Sequence, residues 1–231
     1  MARDDILSKG AILQKDGETY AVTVRLRGSV FDVPTGRRIA DAAEKYGAHT
    51  LKITGDARLA VIGIKEGDID NFYSAIGSTT KASAALCQQY IKVCPGNTFC
   101  PRGLKDTLAF AGKLDEKFYP YPKITSKVKI GVAGCMNSCA EPAIKDIGLI
   151  GLPKGWVLMV GGAGGKEPMI AETIGRNLSD DEALDAVDKI LKYYRGASMT
   201  PRTRNLRLGV ILQKEGKDRL LRVLGLTAQG N

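Results

Sequence analysis

The sequence carries one histidine, His49, and one tryptophan in 231 residues. A single imidazole nearly excludes serine–histidine catalysis and zinc sites built on histidine. Aromatic residues make up only 6% of the chain, few for the stacked reading surface of a nucleic-acid binder. No apolar run approaches the ~18 residues that a membrane span needs. The start of the chain, with Arg3, Asp4 and Asp5, has no apolar signal-peptide core. The expectation is a cytoplasmic chain with no membrane partner, in which the five cysteines are not structural disulfides. Composition is otherwise that of a folded protein, 44% hydrophobic and 26% charged. At ~150 residues per domain the length suits one large domain or two small ones. What is in excess is positive charge. Lys and Arg number 34 against 25 Asp and Glu, a formal +9, which implies an anionic partner.

The first third reads as mixed α and β. Asp16-Gly17 is a hairpin signal, and after it Tyr20, Val22, Val24 and Leu26 alternate as in a half-buried strand. Thr35 to Tyr46 has helical periodicity, with Ile39, Ala42, Ala43 and Tyr46 on one face and Gly47 as the stop. Two short strands, 51–53 and 59–64, and a helix over 69–76 follow. The order β-α-β-β-α is a ferredoxin-like half. A small, polar stretch at 77–82 marks a boundary, giving a domain over 1–78 and a second over 79–231. In the second, the pattern predicts a helix from Pro101 to Phe118, a strand from Lys127 to Ala133, and paired strands 147–152 and 156–160 turning at Lys154-Gly155. The capping box Ser179-Asp-Asp-Glu182 opens a helix that runs to Gly196. Short helices over 204–213 and 217–224 close the chain. The strings Ile12-Leu-Gln-Lys-Asp-Gly17 and Ile211-Leu-Gln-Lys-Glu-Gly216 are alike, but no period links them, and they read as coincidence.

Four cysteines form two pairs, Cys94-x5-Cys100 and Cys135-x3-Cys139, each in a loop rich in Gly, Pro or Asn. Four thiolates from two loops suit a [4Fe–4S] cluster. Structural zinc also takes four thiolates, but it favours gaps of two to four residues. Four unrelated buried thiols is the third reading, which the tight pairing disfavours. Cys87 has no partner in either motif and reads as a small core residue.

C-x5-C followed by Gly-Cys-x3-Cys resembles the sirohaem/[4Fe–4S] signature of sulfite and nitrite reductases. The resemblance continues through Val132–Glu141, Ile144-Lys-Asp-Ile-Gly-Leu-Ile-Gly151, Gly155-Trp156 and Val160-Gly-Gly-Ala-Gly-Gly165, with Thr54-Gly-x-x-Arg58 in the first domain. It spans about residues 10–225 and is closest to small, single-repeat assimilatory-type sulfite reductases and to the sirohaem region of large-subunit nitrite reductases. The resemblance implies an α+β fold: a ferredoxin-like half-domain followed by an α/β domain that binds sirohaem and the cluster. It implies that Cys94, Cys100, Cys135 and Cys139 hold the cluster. Cys139 would also be the axial ligand of sirohaem and Asn137 would help to bind it, while the glycine run with Gly162, Gly164 and Gly165 suits backbone N–H groups that meet its carboxylates. It implies six-electron reduction of sulfite to sulfide, or of nitrite to ammonia. Arg25 and the Lys127-x-Lys129 pair match basic residues that surround the substrate. The second arginine sits two residues after the motif threonine in two-repeat sulfite reductases, where this chain has Asp56; Arg58 is the candidate here.

Each basic residue also has a plain reading. Lys127 and Lys129 alternate on a strand and could form a solvated face, and Arg25 could lie on the surface. Gly161-Gly-Ala-Gly-Gly165-Lys166 lacks the spacing of a P-loop. Two other function classes stand beside the reductase: an electron carrier or redox sensor with a cluster only, and a basic nucleic-acid binder with zinc. No flavin or nicotinamide fingerprint is present. A separate acidic donor, such as ferredoxin, flavodoxin or a flavoprotein subunit, would supply electrons, and a homodimer could complete the site.

Overall fold

A computed structural model of the chain describes residues 4–26, 28, 30–55, 57–77, 89–118 and 124–225. It divides into two compact units, Met1–Leu86 and Cys87–Asn231. Cys87 and Asp56 lie outside the described residues.

In the first unit, Asp16 and Gly17 turn the chain between β1 (Ala11–Leu13) and β2 (Thr19–Val24). Gly17 takes φ 71°, open to glycine without strain. The Thr19 hydroxyl and the backbone N–H groups of Thr19 and Glu18 donate to the Asp16 carboxylate and hold it at about 2, well below its ordinary range. Helix α1 (Val33–Lys45) starts two residues before the periodicity suggests. Asp32 caps it by accepting from the Thr35 N–H at 2.8 Å, and Pro34 fits its first turn. Strands β3 (Thr50–Ile53) and β4 (Leu59–Lys65) and helix α2 (Ile69–Ala75) follow. The sheet is antiparallel in the order β1-β2-β4-β3. Tyr20, Val22 and Val24 pack with Ile39, Val61, Ile69 and Phe72 in its core. The expected order holds, with β1 added ahead of it.

The second unit is built on a five-stranded sheet, β5 (Gln89–Val93), β6 (Val128–Ala133), β7 (Ile147–Leu152), β8 (Gly155–Val160) and β9 (Glu172–Leu178), in that order. The first three strands are parallel, and β8 and β9 are antiparallel additions. Alternation divides the sheet. Ile91, Ile130, Val132, Ile147 and Leu149 face a core shared with Phe110 and Leu114 of α4 (Thr107–Phe118) and Val187, Ile190 and Leu191 of α5 (Asp180–Ser198). The capping box at Ser179 and Glu182 is formed, and α5 runs two residues past Gly196. Helices α6 (Leu208–Glu215) and α7 (Asp218–Leu224) complete the unit.

The expectation of a helix from Pro101 is corrected: α4 begins at Thr107. Residues 101–106 are committed elsewhere. The Leu104 N–H donates to the Gly134 carbonyl at 2.8 Å, and the Lys105 carbonyl accepts from the Asn97 N–H at 3.0 Å. Asp106 then caps α4, its carboxylate accepting from the Ala109 N–H at 2.9 Å.

Candidate cofactor site

Both cysteine pairs leave the C-terminal ends of adjacent parallel strands. Cys94 follows β5 and Cys135 follows β6 by one glycine, in a register that places Val93 opposite Val132. Loops at such an edge of a parallel sheet are a favoured place for ligands. Between Cys94 and Cys100 the chain winds one turn, α3 (Gly96–Phe99), closed by the Cys100 N–H donating to the Gly96 carbonyl at 2.9 Å. Buried Thr107 donates its hydroxyl to the Cys94 carbonyl at 2.6 Å. The two pairs are linked directly: the Gly134 N–H donates to Cys94 Sγ at 3.1 Å. Hydrogen bonds to a cluster's sulfurs are one of the factors that tune its potential.

The second pair lies on an unusual connection. Parallel strands need a crossover of about a dozen residues or more, most often a helix. Between β6 and β7 that crossover is the cysteine loop, residues 134–146, with only a short 3-10 turn at Pro142–Ile144. To return to the start of β7 it runs back across the sheet face opposite the core. Gly131 and Gly148, paired side by side on β6 and β7, make room for it. A Cβ on Gly131 would stand 2.9 Å from the Ala140 carbonyl oxygen, and one on Gly148 would overlap the Pro142 carbonyl. Ser138 and Glu141, on either side of Cys139, take left-handed φ of 53° and 56°. Such strain in non-glycine residues collects at functional sites.

All four cysteines are free thiols, Cys139 exposed and the other three half-buried. Among the described residues no three His, Cys, Asp or Glu side chains form a single-ion site. A cubane takes one thiolate at each of its four irons, and the donor set fits that demand. Asn137 is exposed on the turn between Cys135 and Cys139. Gly162 donates its N–H to the Lys145 carbonyl at 2.8 Å and packs on residues 143–145, so it serves the loop's own fold. Gly164 abuts Ile144, while Gly165 has open space around it.

The basic residues fall in two places. Lys129 lies on β6 on the face the crossover covers, half-buried, with Nζ 5.9 Å from the centre of the Tyr90 ring. Lys127 is exposed just before the strand, and its carbonyl accepts from the Tyr194 hydroxyl at 3.1 Å. In the first unit, Arg25 directly follows β2 and Arg58 directly precedes β4. The pairing of Val24 with Leu59 sets the two arginines side by side at one end of that strand pair. The Arg58 N–H donates to the Thr54 hydroxyl at 3.1 Å, so the Thr-Gly-x-x-Arg string is a local turn.

Sequence reasoning passed over a charged cluster beside the cysteines. Glu141 accepts from Lys92 Nζ at 2.7 Å and from Lys145 Nζ at 2.9 Å. The two ammonium groups hold its carboxyl at about 2. The adjacent Asp146 is fully buried. It accepts two bonds from Arg207, at 2.9 and 2.7 Å, and one from the Lys129 N–H at 2.8 Å. Burial pushes that carboxyl up while Arg207 opposes it.

Residues 87–230 match the nitrite and sulphite reductase 4Fe-4S domain, and residues 12–78 match the nitrite/sulfite reductase ferredoxin-like half domain. The assimilatory-type sulfite reductase of Nitratidesulfovibrio vulgaris is 33% identical over 208 residues, 90% of this chain and 93% of that protein. The nitrite reductase [NAD(P)H] of Bacillus subtilis is 34% identical over 80% of this chain but only 23% of its own length. The Escherichia coli nitrite reductase (NADH) large subunit is 31% identical over 84% and 23% respectively. The fold is that of dissimilatory sulfite reductase I, with a TM-score of 0.76 at 13% identity, covering 91% of this chain and 70% of that one. It is also that of Mycobacterium tuberculosis NirA, with a TM-score of 0.77 at 16% identity, covering 89% and 39%. Four free thiols on two loops, in a chain matched by both domains of one family, imply a [4Fe–4S] cluster and sirohaem as its cofactors. The chain belongs to the nitrite and sulfite reductase family.

Proposed function

We propose that the chain reduces sulfite to sulfide, taking six electrons from a separate donor protein. The observation that carries this reading is the near end-to-end match to a sulfite reductase of similar length, whereas the nitrite reductases match over about a quarter of their own. Nitrite is the second substrate to test, because those matches are as close in identity.

In this reading Cys94, Cys100, Cys135 and Cys139 would hold the cluster, and Cys139 would also help to hold sirohaem. When bound, the pair supplies electrons one at a time to the anion. The chain's own residues do the rest. Asn137 and the backbone of Gly164 and Gly165 would help to hold sirohaem; Gly162, its N–H engaged by the Lys145 carbonyl, shapes the loop. Lys129 supports a role at the anion because its ammonium shares a face with the crossover. Lys127, Arg25 and Arg58 complete the cationic set that draws sulfite in, the arginines by donating hydrogen bonds to its oxygens and the lysines also by passing protons to those that depart. A second copy supplies part of that set across a twofold interface.

Steady-state turnover of sulfite and nitrite with reduced methyl viologen tests the reading, and sulfide release at the higher specificity constant is expected. No turnover of either anion by protein holding both cofactors would leave the electron-carrier alternative standing. Lys129→Ala is expected to keep the cluster spectrum and lose ~10²–10³ in rate, the cost of a cationic donor at developing oxyanion charge. Full activity would show Lys129 to be a solvated strand residue. Mixing Cys139→Ala chains with Arg25→Ala Arg58→Ala chains tests the shared site: regained activity supports it, and a strictly monomeric active enzyme overturns it.

A further inference from the structure

The crossover that carries Cys139 is tied down by charge. Lys92, Gly131 and Gly148 form one row across β5, β6 and β7, on the face the crossover covers. The two glycines form the floor, and Lys92 stands at the end of the row, two residues before Cys94. Lys145 rises from the far end of the crossover, its side chain only 6% exposed. Both ammonium groups close on the carboxylate of Glu141, two residues after Cys139. A strand end leading to the first cysteine pair, the loop of the second pair and the approach to β7 thus meet at one side chain.

The arrangement is more costly than a surface ion pair. A buried lysine must recover its lost hydration through good geometry, and Glu141 holds a left-handed φ of 56° while it accepts from both partners. The three side chains sum to one positive charge, with Lys92 two positions from Cys94 and Glu141 two positions from Cys139. The net charge around a cluster is one of the factors that set its reduction potential.

We propose that Lys92, Glu141 and Lys145 form a positioning clamp that fixes the Cys139 crossover and, through their net positive charge, raises the reduction potential of the cluster. The proposal rests on the cluster reading for its second half only. Glu141 is a positioning residue that acts through Cys139.

Two variants separate charge from mere packing. Glu141→Gln keeps shape and backbone but removes the negative charge. Lys92→Met removes a positive one. In redox titrations of the holoenzyme followed by cluster EPR, E141Q should shift the potential upward and K92M downward. Shifts of one sign, or none, overturn the electrostatic half. Hydrogen exchange on the apo-protein tests the clamp without any cluster. The N–H groups of Glu141 and Ile144 bond to the carbonyls of Ser138 and Glu141. Losing a charged hydrogen bond at this junction should speed their exchange roughly ten- to hundredfold in E141Q. Unchanged exchange overturns the clamp. Wild-type protein that takes up no iron would overturn the cofactor reading, and the exchange result would still decide the clamp.

Discussion

Gly131 and Gly148 show how a missing side chain positions a reactive one. The crossover lies against the sheet because neither strand offers a Cβ where Ala140 and Pro142 pass. Gly148→Ala must push Pro142 outward, and overpacking of this kind costs ~1–3 kcal/mol. We expect a lowered melting temperature and, more tellingly, substoichiometric iron, because Cys139 moves with the loop. Full iron loading would show that the crossover tolerates the shift. The cysteines themselves were legible in the sequence because their chemistry and spacing need no context. The glycines that seat them were not, since their role exists only once β6 and β7 pair. Glu141 was hidden for the same reason: its partners lie 49 positions before it and four after it. Tyr73 makes a separate prediction in the first unit. Its hydroxyl lies 3.0 and 3.2 Å from the Lys9 and Thr23 carbonyls, and burial pushes the phenol up to about 12. The unfolded chain loses that proton near its ordinary value of 10.0. Stability should therefore fall as pH rises from about 10 to about 12, where only the unfolded state is ionised. Denaturant titrations should show this loss reduced in Tyr73→Phe; an unchanged alkaline slope would assign it to other groups.

At the scale of elements, local signals worked where an element forms its own contacts and failed where a neighbour decides. The capping box at Ser179, the hairpin at Asp16-Gly17 and the alternation of Tyr20, Val22 and Val24 are local, and each is realised. Strand β9 escaped notice because it is an edge strand, mostly exposed and irregularly paired with β8, so it lacks a two-residue apolar period. The two similar strings make the point directly. Ile12-Leu13 lies in β1 before a turn, while Ile211–Glu215 lies in α6, which stops at Gly216 with φ 78°. Long-range pairing selects between the two outcomes. The start of α6 also depends on a distant partner, because Arg207, the residue before it, is held by buried Asp146. Arg207→Met leaves that carboxylate buried without its counter-charge and should cost ~3–5 kcal/mol. Equilibrium unfolding measures this, and a loss below about 1 kcal/mol would mean that Asp146 finds water or takes up a proton instead.

For the whole molecule, charge is the property most easily read from sequence and the least local in its effect. A formal +9 is the kind of surplus that would steer an acidic partner toward the chain. Little of that net charge lies in the ion pairs of the second unit, where Lys92, Lys145 and Arg207 meet the carboxylates of Glu141 and Asp146 and leave one positive charge over. Bound sirohaem would neutralise more through its own carboxylates. The surplus left at the surface therefore decides whether an acidic electron carrier is steered, and ionic strength measures it. Attraction between separated charges is screened over ~10 Å at 0.1 M salt. With an acidic ferredoxin or flavodoxin as donor, the second-order rate of reduction should fall steadily as salt is raised. With methyl viologen, a small cation, it should stay flat or rise. The two donors share every step after electron entry, so the contrast isolates docking from chemistry. Equal salt dependence with both would place the effect on binding of the anionic substrate. A flat profile with the acidic carrier would mean that the surplus charge is spent within the fold and its cofactors, leaving donor choice to shape.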